Sequence, residues 1–249
     1  MRRILTGVLL CVLTALSANA FNTDSLHVDA RLGYSIGGTP PLTMDATIRK
    51  IKAFHPIFGF SGGATITYEI TDRWGIAASL LFERKGMDVN VKVKNYDVVV
   101  NRGGEHLEGL FLGDVKVKEH QYSLTLPVQA SYWVSRKVRL RLGPYFSYVT
   151  GKRFEGWAYN GYLRVDGPTG MKVELGEEAG TRGDFEFSQE LRSFQMGVDL
   201  AADWRFHRRW GAYASLDFGF NNIFKGSFTT VAQTLHPLYL TLGMTYQIQ

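Results

Sequence analysis

The 249-residue chain has 28 Lys and Arg against 23 Asp and Glu, a formal charge of +5, and 45% hydrophobic residues. Its single cysteine, Cys11, excludes a disulfide framework or a Cys-ligated metal site. The slight basic excess is spread along the chain, and nucleic-acid binding would need it concentrated on one face.

The chain opens with Arg2 and Arg3, an apolar run from Leu5 to Leu16 and the small-residue site Ala18-Asn19-Ala20. This pattern predicts a signal peptide over residues 1–20 and an exported domain over 21–249. No apolar run in that domain approaches the length of a transmembrane helix.

Eight segments instead alternate apolar and polar residues with the period of two that strands require. The first is Leu26 to Ile36, the second Phe60 to Thr71, and the third runs from Trp74 through Phe82. The fourth, about Glu119 to Val134, carries Tyr122, Leu124, Leu126 and Val128 on one parity; the fifth is Val138 to Thr150. The sixth and seventh form one hairpin between Leu191 and Phe224, joined at Phe206-His207-Arg208-Arg209. The eighth is Leu235 to Gln247.

The connections alternate too. Asp72-Arg73, Ser135 to Lys137 and Phe206 to Arg209 are short, whereas about Gly37 to Gly59, Met87 to Lys118, Gly151 to Glu190 and Lys225 to Thr234 are long. This plan predicts an all-β fold, an eight-stranded antiparallel transmembrane β-barrel with short periplasmic turns and long extracellular loops, in the outer membrane of a Gram-negative bacterium. Among the loops, Val89 to Val100 and Gly161 to Leu175 read as strand pairs rising above the membrane, and Met44 to Phe54 as a short helix.

Aromatics should mark the membrane interface, where an apolar ring with a polar tip is at home. Trp74, Tyr132, Trp133, Trp204 and Trp210 all lie beside the short turns, with Trp133 off its strand's apolar parity. The other parity should face the lumen. It carries Asp29, Arg31, Glu69, Glu83, Lys85, Arg139, Arg141, Asp199, Asp203 and Asp217. An eight-stranded barrel is only wide enough for side chains to fill it, so these charges should pair. A salt-bridge network centred on Arg139 and Arg141, with Asp199, Asp203 and Asp217 as partners, is the expectation; a narrow gated ion path is the alternative.

No histidine has a catalytic setting. His120 and Ser123, three apart on one strand, face opposite sides. His55 and His106 lie in long loops, His27 and His207 at the periplasmic end, and His236 on the outward parity of the last strand. Nothing has the spacing of a metal loop, and neither a cofactor nor a metal is expected.

Ser123-Leu124-Thr125-Leu126-Pro127-Val128, Arg141-Leu142-Gly143-Pro144-Tyr145-Phe146, Phe194-Gln195-Met196-Gly197-Val198 and Tyr239 to Tyr246 resemble the PorT-like outer-membrane β-barrel proteins. The resemblance runs from about Leu26 to Ile248. It implies an eight-stranded barrel with no catalytic motif, in a family where some members are implicated in protein secretion. The expected partners are outer-membrane lipid, the barrel assembly machinery during biogenesis and an envelope protein, with a non-enzymatic structural or interaction role carried by the loops. A lipid-modifying barrel enzyme and a small gated pore are the alternatives.

Overall fold

The computed structural model describes residues 25–41, 46–165, 167–228, 230–231 and 233–248. The expected signal peptide lies outside the described residues. The strands are β1 (Leu26–Gly38), β2 (Ile48–Pro56), β3 (Gly59–Glu69), β4 (Trp74–Arg102), β5 (Glu105–Trp133), β6 (Val138–Val165), β7 (Lys172–Leu175), β8 (Gly183–Glu186), β9 (Phe194–Arg205), β10 (Trp210–Gly219) and β11 (Leu238–Gln247).

Eight of them close an antiparallel ring in the order β1-β3-β4-β5-β6-β9-β10-β11, with β11 back on β1. Closure leaves no edge unpaired in lipid. On these strands the apolar parity points outward. Leu80, Leu142, Leu200 and Leu242 are all exposed on the barrel wall. The band ends above at Arg84 and Tyr122, whose ring lies 5.9 Å from the Arg84 guanidinium.

Three strands do not stop there. β4 and β5 have 29 residues each and β6 has 28, against the roughly 9–11 that a tilted membrane strand needs. Their outer halves pair with each other and turn at Gly103-Gly104, both at positive φ (56° and 94°), where a two-residue hairpin turn requires it. β2 extends this sheet beside β4, above β3, while β7 and β8 pair with β6, and β8 also touches β4. The predicted rising strands are thus the ends of β4, β5 and β6, with β7.

The predicted helix from Met44 to Phe54 is corrected: Ile48 to Pro56 is a strand on β4, and Met44 lies outside the described residues. Its apolar residues Ile48, Ile51 and Phe54 recur every third position, which reads as helical. Two bulges, between Ile48 and Lys50 and between Ile51 and Ala53, allow that spacing to serve one face of a strand.

The outer section has an apolar core of its own. Val93, Val98, Val100, Phe111, Ala158 and Leu163 are buried together. Beside it Phe154, Leu191, Ile223, Phe224 and Leu235 form a second cluster over the barrel mouth. Bulges keep these apolar residues inward. On β4 the register shifts at Asn95 (φ 54°), so Val93 and Val98 both point in. On β6 it shifts at Thr150 and again near Asn160 (φ 49°). Asn tolerates this left-handed conformation better than most residues.

Candidate functional site

Two features are candidates: the charged lumen within the membrane and an apolar cavity outside it.

In the lumen Asp203 is the hub. Its carboxylate lies 2.8 Å from Arg141, 3.3 Å from Arg139 and 3.9 Å from Arg31. Arg139 also reaches Asp29 at 3.1 Å, and the Arg31 guanidinium sits 3.8 Å over the Tyr213 ring. Higher up, Lys85 joins Glu83 at 2.8 Å and Asp217 at 2.7 Å. All of these except the partly buried Lys85 are buried. The expectation that Asp199 and Asp217 serve Arg139 and Arg141 is corrected. Asp217 takes Lys85, and Asp199 accepts a hydrogen bond from Gln129. Glu69 stands apart at the periplasmic end, 3.4 Å from His27. The lumen gap lined by Asp29, Trp133, Arg139 and Asp203 measures about 10 Å³, room for about one water.

The aromatics divide. Trp74 packs against Tyr132 in a tilted contact at 4.7 Å, Trp210 edge-on against Tyr246 at 4.9 Å, and Trp204 tilted against Phe206 at 5.6 Å, with all three tryptophans exposed on the outer wall. Trp133 is the correction. It shares the inward parity of Gln129 and Ser131, donates its indole N–H to Glu69 at 2.8 Å and lies 5.0 Å under Arg139. Its polar edge finds a fixed acceptor inside, so it closes the lumen rather than anchoring in lipid.

The histidines are dispersed. His106 Nδ1 is 3.1 Å from the Asn101 side chain. His236 is buried, not interfacial, with Nδ1 3.0 Å from the Gly219 carbonyl and its ring stacked near Phe218. Partial burial and the nearby Arg84 hold His120 below the usual imidazole range.

Above the lumen lies a cavity of about 370 Å³. That is within the size range of small-molecule pockets. Val89, Val91 and Val117 line it from β4 and β5, Ile51 from β2, and Phe154 and Phe187 from the mouth cluster. Its floor is Thr39 and Met87. Beneath them Glu119, fully buried, accepts hydrogen bonds from Thr39 Oγ1 at 2.6 Å and from Gln121. Glu119 pairs with Met87, above the Arg84–Tyr122 rim. Burial pushes its carboxyl up to about 7, against the pull of those two bonds.

Sequence reading missed this cavity, although a signal existed. Along β4 the apolar parity is even from Trp74 to Phe82 and odd from Met87 to Val93. Such a switch marks the point where the outside changes from lipid to water.

The family model "Outer membrane protein beta-barrel domain" matches residues 18–225. Among solved structures 45 chains match. Ail, the attachment invasion locus protein of Yersinia pestis, is 12% identical, with a TM-score of 0.38 over 90% of this chain and 97% of that one. Neisserial surface protein A is 14% identical, with a TM-score of 0.35 over 89% and 96%. The translocator domain of the autotransporter NalP from Neisseria meningitidis is 12% identical, with a TM-score of 0.26 over 98% and 95%. No curated protein matches the chain.

Proposed function

Because the chain belongs to the outer membrane protein beta-barrel domain family and resides in the outer membrane, we propose that it is a non-enzymatic anchor that displays a binding section outside the cell. The barrel within the membrane is a plug, and the outer ends of β4, β5 and β6, with β2, β7 and β8, do the binding.

The observation that carries this reading is the inversion between the two sections: a charge-filled lumen below, a preformed apolar cavity above. A pore would need a continuous wet path, and the lumen charges are instead paired across it. A lipid-modifying enzyme would need an imidazole beside a nucleophile, and His106 and His236 hold an amide and a carbonyl. Export through a signal peptide over residues 1–20, PorT-like kinship and an envelope partner, with a place in secretion, belong to the same reading.

The test is reconstitution of the purified protein in a planar bilayer, with lipid mass spectrometry of cells that express it. A silent bilayer and unchanged lipids are expected. Stable conductance steps would make it a pore, and trimmed or extended acyl chains would make it an enzyme.

A further inference from the structure

The cavity has a lip. β2 pairs only with β4, so among the described residues its other edge carries no strand. Ile48, Ile51 and Phe54 of β2 line the cavity, yet Ile51 is 46% exposed and Phe54 47%. Large apolar side chains that are half in the cavity and half in water mark an opening there.

The same strand carries cations. The bulge after Ile48 sets Lys50 on the face opposite the lining residues Ile48 and Ile51, and Lys92 on β4 alternates with Val91 and Val93. Lys50 and Lys92 face each other directly across the β2–β4 ladder. Like charges in that position repel. Arg49 and Lys94 are exposed close by. Among the described residues none of these four has a carboxylate at salt-bridge distance, while Lys52 is taken by Asp114 at 2.6 Å. The cations stand on the other face of β2 from the cavity. That strand is an edge, and one strand width is only about 5 Å. A head group folded over the free edge meets Lys50 on β2 first, with Lys92 on β4 one strand spacing, about 5 Å, further in.

We propose that this cavity binds a long-chain fatty acid, with its hydrocarbon chain among Val89, Val91, Val117 and Phe187 and its carboxylate on Lys50 and Lys92. The chain takes the apolar lining out of water. The carboxylate turns a repelling lysine pair into two charge-assisted contacts. A neutral apolar molecule satisfies only the first condition, and a soluble anion only the second. The proposal deepens the binding role above and rests on it, because the cavity must lie on the watery side of the membrane.

The experiment uses the full protein in phosphatidylcholine nanodiscs, with hexadecanoic acid carrying a terminal diazirine as the probe and mass spectrometry to map photo-crosslinks. Labels are expected on the segments 89–93 and 185–187. Val91→Trp fills the cavity and should abolish them. The double variant Lys50→Glu/Lys92→Glu should lower them severalfold, and the probe's methyl ester should label wild type as weakly as the acid labels that variant. Each variant is first checked for the heat-dependent gel mobility of a folded barrel. Labels confined to lipid-facing residues such as Leu200 and Leu216 would overturn the proposal. So would cavity labelling that is equal for acid and ester and insensitive to the lysine reversals. Either result in a barrel that stays silent in the bilayer sinks the fatty-acid site alone; conductance strikes the anchor reading itself.

Discussion

Within one set of strands the protein has two opposite cross-sections. Below Arg84 and Tyr122, β4, β5 and β6 present leucines and aromatics outward and Glu83, Arg139 and Arg141 inward. Above Met87 and Glu119 the same strands present Asp88, Lys92 and Lys116 outward and Val93, Phe111 and Ala158 inward. The β4–β5 pairing runs in register through the change, and the β5–β6 pairing passes it with a one-residue bulge at Thr150. The surroundings differ. In lipid an apolar wall is obligatory and confers no drive to collapse, so the lumen is held by ion pairs and hydrogen bonds. In water the hydrophobic effect fills the interior, and charge belongs outside.

The strongest way to break this contrast is to remove the hub of the lumen. Asp203→Ala leaves Arg31 and Arg141 without their carboxylate and Arg139 with Asp29 alone. Breaking a buried pair in this way costs on the order of 3–5 kcal/mol. Urea unfolding in phosphatidylcholine vesicles should register it. A loss below about 1 kcal/mol would mean that the lumen is wet and screened like a surface.

Phe111→Ala is the matching cut in the upper section. Phe111 is fully buried in the valine-rich core, and such a truncation costs about 3–5 kcal/mol. Here the damage should stay local. Limited proteolysis should cleave between residues 93 and 115 while the folded gel mobility of the membrane section persists. Simultaneous loss of both would show that the two sections unfold as one unit.

The lower section was legible because lipid imposes one rule on every strand. Eight alternating segments and three short turns, at Asp72, Ser135 and Phe206, emerged from parity alone. Trp133 carried its own warning: it shares the parity of Gln129 and Ser131, which point inward. Lumen partners were less legible. That Asp203 rather than Asp199 meets the arginines depends on stagger across the barrel, which no single strand encodes. The upper section was obscured by its bulges. Those at Asn95, Thr150 and Asn160 reset the parity of β4 and β6, and those in β2 turned a strand's apolar face into a period of three. The cavity is lined from beyond the bulge at Thr150, through Phe154, and from the bulged β2, through Ile48, Ile51 and Phe54.

Glu119 lies at the junction, and it sharpens the comparison through pH. Its carboxyl is raised from an ordinary 4.5 to about 7 by burial. The folded state therefore holds this proton more tightly than the unfolded chain. The stability it supports is complete below about pH 4.5 and is lost as pH rises through about 7. Glu119→Gln keeps an acceptor for Thr39 and removes the charge. It should raise stability at pH 8 by at most about 3 kcal/mol and leave it nearly unchanged at pH 4. Unfolding midpoints at those two pH values check this. Equal pH dependence in variant and wild type would mean that Glu119 is already ionised and solvated.

The smallest effect tests the contrast from the outer face. Arg153 sits on β6 one residue before the buried Phe154, and its guanidinium lies 2.7 Å from Glu155 with the side chain 65% exposed. Arg141, twelve positions earlier on the same strand, lies at nearly the same distance, 2.8 Å, from its carboxylate Asp203 but is sealed in the lumen. Water already solvates Arg153, so Arg153→Ala should shift stability by only about 0–1 kcal/mol, and added salt should erase the difference. A cost near that of Asp203→Ala would mean that something covers this face, and the upper section would then be a buried interface rather than a free one.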